Sequence, residues 1–391
     1  MTARRTIASF AILALASEAQ AEVRLPDVIS DHMVLQAGMD APVFGTAEPG
    51  EEVTVDFNGQ KKGEKAGKDG KWVVKLDPLK AGGPFEMKIG GTNALTVKDV
   101  LVGEVWIAGG QSNMRFPLSK ATDGAADIAK ADRPKLRFLP PGGKWQVCTP
   151  KTAPAFSAVG YYFALALADA RKVPVGVIDN SVNGELAQNF VSREAFTAGA
   201  ELAGMVKRHA KETSSQWDKL VVPLIPFGIR GVVWAQGEGN SDFPVTYRRL
   251  LPALVGDWRG HWGRGDFPFV VVQLANYQDR REAIYEDKYC ALREAQLKAV
   301  QATPKTALVV TIDIGIAKDV HFPNKKPVGE RLALAARALA YDEKIVASGP
   351  IFEAAKFEGG HGRGFLLAGR RRVCHEGGRR AGNRLRSLRR G

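Results

Sequence analysis

The hydrophobic rhythm of the chain changes near residue 98. Before it, short runs alternate apolar and polar positions or are rich in β-branched residues: Val53–Phe57, Trp72–Leu76 and Phe85–Ile89. Turn sequences such as Asn58-Gly59 and Lys68-Asp69-Gly70 separate them. Period-two alternation between turn signals predicts short strands with one buried face, and closely spaced short strands predict a small β-sandwich. After it, compact apolar runs predict buried strands at Val102–Ile107, Val175–Asp179, Gly231–Trp234, Phe269–Gln273 and Ala307–Thr311. Between them, Ala158–Ala170, Val245–Trp258, Lys288–Gln301 and Lys326–Tyr341 repeat apolar residues at helical spacing. Strands alternating with helices imply an α/β domain, a mostly parallel five-stranded sheet with helices on both faces.

The polar residues that follow these strands carry the candidate chemistry. The first strand breaks at Ala108-Gly109-Gly110 and delivers Gln111-Ser112-Asn113-Met114. The second ends in Asn180-Ser181-Val182-Asn183-Gly184, and the third in Gln236-Gly237-Glu238-Gly239-Asn240. The fifth leads to Asp313, Asp319 and His321. Open parallel sheets gather ligands at the carboxyl ends of their strands, so four loops converge on one edge. A serine hydroxyl becomes a nucleophile only with a base and with donors for the oxyanion. His321 is the best base, since a neutral imidazole can accept a proton near neutral pH. The other histidines lie in the β region (His32), in a polar helical stretch (His209), beside tryptophans (His261) and near the C-terminus (His361, His375).

Asp319 is the candidate orienter of His321, with Asp313 as its rival. Candidate oxyanion donors are the N–H groups of Ser112 and Gly184 and the carboxamide of Asn240. Gln111, Gln236 and Glu238 are assigned to substrate binding, with loop bracing as the alternative for Glu238. Each residue alone has a plain structural reading: capping for His321, turn geometry for Gly184, loop bracing for Asn240. Their joint placement favours acyl chemistry.

Four segments resemble the sialate O-acetylesterase family of SGNH hydrolases: Ser30–Gln36, GEVWIAGGQSNM at 103–114, GIRGVVWAQGEGN at 228–240, and Asp319-Val320-His321 followed by VGERLALAARALAY at 328–341. The resemblance spans roughly residues 23–358. It implies an SGNH-type three-layer α/β/α domain, Ser112 as nucleophile, His321 as general base and acid, and Asn240 as an oxyanion asparagine. It implies O-acetyl esters of sugars as substrates, sialic acids or acetylated polysaccharides, with no cofactor. The family usually carries Gly-Gly-Thr where this chain has Asn183-Gly184-Glu185, and a serine where it has Gly239. In the wider superfamily an acid stands three residues before the histidine, where Lys318 stands here, so a Ser–His dyad is the alternative to a triad with Asp319. The rival functions are a carbohydrate-binding protein with a decayed site and a nucleic-acid binder acting through the C-terminus.

Charge and composition set the outer limits. Arg4 and Arg5, the apolar run Ile7–Ala16 and Ala19-Gln20-Ala21 have the order of a secretory signal. We therefore expect a signal peptide at 1–21, a β-sandwich-like domain at 22–97, the hydrolase domain at 98–345, and a periplasmic or extracellular protein without an integral membrane segment in its mature form. Ten arginines against Glu376 put +9 of the chain's net +13 into residues 361–391, which leaves the rest near neutral and confines any nucleic-acid reading to that end. No strand periodicity is legible after Phe357, and the family match stops abruptly there. Residues 346–391 are thus expected to be a basic tail produced by truncation or a frame shift. Cys148, Cys290 and Cys374 have no metal-ligand spacing and permit at most one disulfide. No metal site is expected.

Overall fold

The computed structural model describes residues 22–198, 202–204, 213–279 and 287–350, and the backbone of the strands within 351–387. The expected signal peptide and His209 lie outside the described residues. The N-terminal strands are β1 (Val34–Gln36), β2 (Ala41–Thr46), β3 (Glu52–Phe57), β4 (Gln60–Lys65), β5 (Lys71–Leu76) and β6 (Gly82–Gly90). β2 pairs with β5 as a separate two-stranded sheet, while β3, β4 and β6 form an antiparallel run. Val53, Val55 and Phe57 from one sheet and Val74 and Leu76 from the other are buried in a single cluster, which is the two-layer packing that the alternation predicts.

β7 (Ala94–Gly110) joins this region to the rest. Its first half pairs with β6, and its second half is the centre of the parallel sheet. The boundary expected at residue 97 therefore falls inside one continuous strand. The remaining strands are β8 (Arg133–Leu139), β9 (Gln146–Cys148), β10 (Val175–Ser181), β11 (Gly231–Ala235), β12 (Phe269–Val272) and β13 (Thr306–Val309), in the order β13-β12-β11-β7-β10-β8-β9. The five expected strands are present, but β8 extends the parallel set to six and β9 adds an antiparallel edge. Charge hid β8 in the sequence. Arg137 is an inward residue of that strand, buried on the Asp99 carboxylate with Nη1 at 2.6 Å, and it interrupts the apolar run that marks the other strands.

The helices are α1 (Ser112–Arg115), α2 (Gly124–Ile128), α3 (Ala158–Arg171), α4 (Pro244–Trp262), α5 (Lys288–Ala302) and α6 (Lys326–Ala340). Successive residues of a strand point to opposite faces, and here they enter different cores. Val105, Ile107, Val232, Trp234, Phe269 and Val271 pack with α4 and α5. Trp106, Ala108, Val233, Ala235, Val270 and Val272 pack with α3 and α6. This is a three-layer α/β/α arrangement. Because both faces are covered, the strands read as unbroken apolar runs.

The sequence predicts no strands after Phe357. The structure has β14 (Ile351–Glu358) up to that point and, after it, β15 (His361–Ala368), β16 (Arg371–Gly377) and β17 (Leu385–Ser387), paired antiparallel in that order. Sheet pairing runs through backbone N–H and C=O groups, which an Arg- and Gly-rich stretch supplies as well as any other. Alternation of side chains is therefore no precondition for it. Among the described residues no helix is long and apolar enough to cross a membrane. Cys148, which is buried, and Cys290, which is exposed, are free thiols.

Candidate active site

β7 ends at Gly110, whose φ of +132° is a left-handed conformation that a side chain disfavours. Its neighbour Gln111 donates its backbone N–H to Ala235 O at 2.9 Å, binding the turn to the end of β11. Gln111 O then accepts from the N–H groups of Met114 and Arg115, both at 2.9 Å, so the chain curls at once into α1 with Ser112 as its first residue. The loop after β10 is fastened to the same point, with Val182 N–H donating to Gly110 O at 3.0 Å. Gly184 in that loop has φ +73°, a value at which glycine avoids the strain of a Cβ.

The four loops meet as the polar residues predict. Ser112 Oγ lies 2.8 Å from His321 Nε2, within hydrogen-bond reach of a nucleophile and its base. Both line a cavity of about 580 Å³ together with Gly184, Glu238, Arg115 and Lys120. The rings of Phe116, Tyr277 and Tyr289 form its apolar wall. Neither Ser112 N–H nor Gly184 N–H donates to a group among the described residues. The other two histidines with described side chains are engaged elsewhere: His32 Nδ1 sits 2.7 Å from Asp99 and His261 Nδ1 3.2 Å from Asp257.

The candidate acids divide. Asp313 is held by Arg331 through two contacts of 2.7 and 2.6 Å, and those hydrogen bonds keep its carboxyl below the usual carboxylate range. It is not a partner of His321. Asp319 Oδ1 accepts the backbone N–H of His321 at 2.8 Å. This side chain-to-backbone turn shapes the loop; among the described residues no hydrogen bond runs from Asp319 to the imidazole. The contacts present are those of a Ser–His dyad, with Asp319 bonded to the backbone of the His321 loop.

The side chains of four further candidates are engaged within the loops. Asn240 is 1% exposed, and its carboxamide is committed: Oδ1 accepts from Ala187 N–H at 3.0 Å and Gln236 Nε2 at 2.6 Å, while Nδ2 donates to Gln188 Oε1 at 2.9 Å. It joins two loops behind the cavity and does not line it. Gln111 Oε1 accepts from Gln236 Nε2 at 3.0 Å and Gly239 N–H at 3.2 Å. These bonds make the two carboxamides brace the loops, and Gln111 also lines the cavity. Glu238 reaches the cavity, yet its Oε1 accepts from Asn113 Nδ2 at 2.5 Å, so loop bracing is its observed role.

Asn113, Lys325 and Arg115 escaped the sequence reading. Asn113 Nδ2 also donates to Val320 O at 3.1 Å, and its Oδ1 accepts from Lys325 Nζ at 2.5 Å. Lys325 is 1% exposed; burial draws its amine down to about 7 against the opposing pull of Glu238 and Asp319. Arg115 Nη1 lies 3.3 Å from Asp179, a carboxylate whose own burial raises it while Arg115 lowers it. The one available signal for Asn113 was its adjacency to Ser112; nothing local marked Lys325 as a buried lysine. Among the described residues no three His, Cys, Asp or Glu side chains group as metal ligands.

Comparison with known proteins places this geometry. Human sialate O-acetylesterase is 30% identical over 84% of this chain and 73% of its own length. The mouse protein of the same name is 28% identical over 84% and 75%. The crystal structure of a carbohydrate acetylesterase from Xanthomonas citri superposes with a TM-score of 0.82 at 36% identity, covering 89% of this chain and 82% of that one. The family described as SASA, a carbohydrate esterase and sialic acid-specific acetylesterase, matches residues 102–338. That span runs from β7 through the Ser112 turn to the His321 loop and α6, and by it this chain belongs to the SASA family of carbohydrate esterases.

Proposed function

We propose that this carbohydrate O-acetylesterase works through a Ser112 acetyl-enzyme on O-acetylated sugars, with acetylated sialic acids preferred over acetylated neutral polysaccharides. The observation that carries the mechanism is the 2.8 Å contact of Ser112 Oγ and His321 Nε2 in the lining of the cavity. His321 Nε2 takes the hydroxyl proton as Oγ attacks the acetyl carbonyl. The oxyanion is received by the N–H groups of Ser112 and Gly184. His321 then gives the proton to the departing sugar oxygen, and the same imidazole activates the water that releases acetate.

The substrate preference rests on the cavity walls. Tyr277 and Tyr289, with ring centroids 5.4 Å apart, offer flat apolar surface to a sugar ring. Arg115 and Lys120 place positive charge beside it, which suits a substrate bearing a carboxylate. Acetate release from a panel of O-acetyl sialic acids and acetylxylan tests the reading, with Ser112→Ala as control. Faster turnover of acetylxylan reverses the preference, and unchanged activity of Ser112→Ala ends the mechanism. Residues 1–21 serve as a secretory signal in this reading; N-terminal sequencing of exported protein should begin at Glu22, and an intact Met1 refutes it.

A further inference from the structure

We propose that Lys325 is a positioning residue of this esterase: its ammonium fixes the Asn113 side chain that ties the Ser112 turn to the carbonyl of Val320 and so holds His321 against the nucleophile. The proposal rests on the serine-esterase reading above and concerns a residue outside the Ser112–His321 couple.

The argument begins with an amide that has two faces. An asparagine side chain presents an acceptor on one side and two donors on the other, and an ammonium group can only donate. Lys325 Nζ, 2.5 Å from Asn113 Oδ1, therefore dictates which way the amide points. The donor side is turned to Glu238 Oε1 at 2.5 Å and Val320 O at 3.1 Å. Asn113 follows Ser112 in the chain, and Val320 precedes His321. A single amide thus spans the neighbours of nucleophile and base. The need for such a tie is visible in the loop itself: the His321 ring is exposed, and Ser112 is its one hydrogen-bond partner among the described residues.

The placement of Lys325 is costly unless it serves something. It sits immediately before α6, where a cation opposes the helix dipole. It is buried between the rings of Phe322, 3.6 Å from Nζ to the centroid, and Phe116, at 4.9 Å. The charged groups that face it are Glu238 from the loop after β11 and Asp319 from the His321 loop; Val159 of α3 and Val328 of α6 add only apolar surface. Glu238 Oε2 is buried with no partner among the described residues, so that carboxylate depends on the lysine charge beyond the amide. A local rule broken in this way marks a functional position. With the amine near 7, it is charged on the acid side of neutrality and loses that charge as pH rises through this value, which loosens its hold on the amide.

The test measures kcat and KM for p-nitrophenyl acetate from pH 5.5 to 9.5 in wild type, Lys325→Met, Lys325→Arg, Asn113→Ala and the Lys325→Met/Asn113→Ala double variant. We expect Lys325→Met to lower kcat by about 10²-fold with KM within about threefold, as a roughly 1 Å misplacement of a catalytic group does. The wild-type kcat should decline above about pH 7, and Lys325→Met should lack that alkaline limb. Lys325→Arg, which stays charged, should recover activity and keep it to higher pH. The double variant should be no worse than Asn113→Ala, since the lysine acts through that amide. A kcat for Lys325→Met within about threefold of wild type, or a wild-type alkaline limb in that variant, overturns the proposal. If Lys325→Met does not fold, an unshifted alkaline limb in Lys325→Arg overturns it instead. An inactive wild type, or an active Ser112→Ala, refutes the esterase mechanism; an active wild type with an equally active Lys325→Met refutes this proposal alone.

Discussion

Replacing Gly110 with alanine tests whether the close approach of β7 and β11 sets the nucleophile. A Cβ built at residue 110 would lie 2.1 Å from the carbonyl oxygen of Ala235 and 2.6 Å from its carbon. Non-bonded carbon and oxygen atoms approach to about 3.3 Å, so the strand end or its partner must retreat by roughly 1.2 Å. Both atoms belong to backbone in the middle of a sheet, and neither can swing aside as a side chain could. The φ of +132° adds strain that only glycine escapes. Backbone strain of about 1–3 kcal/mol and overpacking of about 1–3 kcal/mol give a loss near 4 kcal/mol. For a domain of this size that lowers Tm by about 8–16 °C. Ser112 stands two residues downstream, and a displacement of about 1 Å should reduce kcat by about 10²-fold. Gly256→Ala is the matched control: it lies exposed within α4 with nothing within 4 Å of a Cβ, so the same methyl should stabilise by roughly 0.5–1 kcal/mol. Calorimetry and steady-state kinetics on both variants decide the matter. Gly110→Ala protein that melts within about 3 °C of wild type and retains kcat within about twofold would falsify the account of the turn.

Four other outcomes follow from the site. Ser112→Ala should lose acetate release by orders of magnitude, on the order of 10⁶, with an unchanged circular dichroism spectrum; retained turnover sinks the nucleophile. Asn240→Ala should cost roughly 2–4 kcal/mol of stability through its lost loop contacts, whereas a kcat loss of about 10²–10³ at unchanged Tm restores the oxyanion role. Asp319→Ala should lower kcat more than Asp313→Ala, because Asp313 is occupied by Arg331; the Asp313 pair is largely exposed, adds at most about 1 kcal/mol, and its contribution, present at neutral pH, should fade as pH falls through the depressed carboxyl value. Translation of the gene beyond codon 357 in the other two frames should yield alternating strand-like sequence if the basic C-terminal stretch arose by a frame shift, and its absence from both frames ends that idea.

What the sequence determined follows from local physics. Apolar runs between helical stretches located β10, β11, β12 and β13 and helices α3 to α6 within a few residues, and the parallel half of β7, whose first eight residues went unread, because covering both faces of a sheet requires unbroken apolar strands. The turn after Gly109-Gly110 and the loop before α6 located Ser112 and His321, since a parallel sheet sends its strand ends to one edge. The tertiary structure decided everything that depends on where a side chain turns. Arg137 concealed β8 because its charge is neutralised by Asp99, a residue of β7 far away in sequence. Asn240, Gln111 and Gln236 share one edge with the nucleophile, and only packing showed their carboxamides bonded to other loops, with Gln111 still lining the cavity. Asp319 is two residues from His321 in either reading, yet the fold gives it the backbone N–H in place of the ring. Lys325 is the clearest case. A lysine beside a helix start reads as solvated by every local rule, and only the rings of Phe116 and Phe322, brought together from opposite ends of the domain, remove it from water.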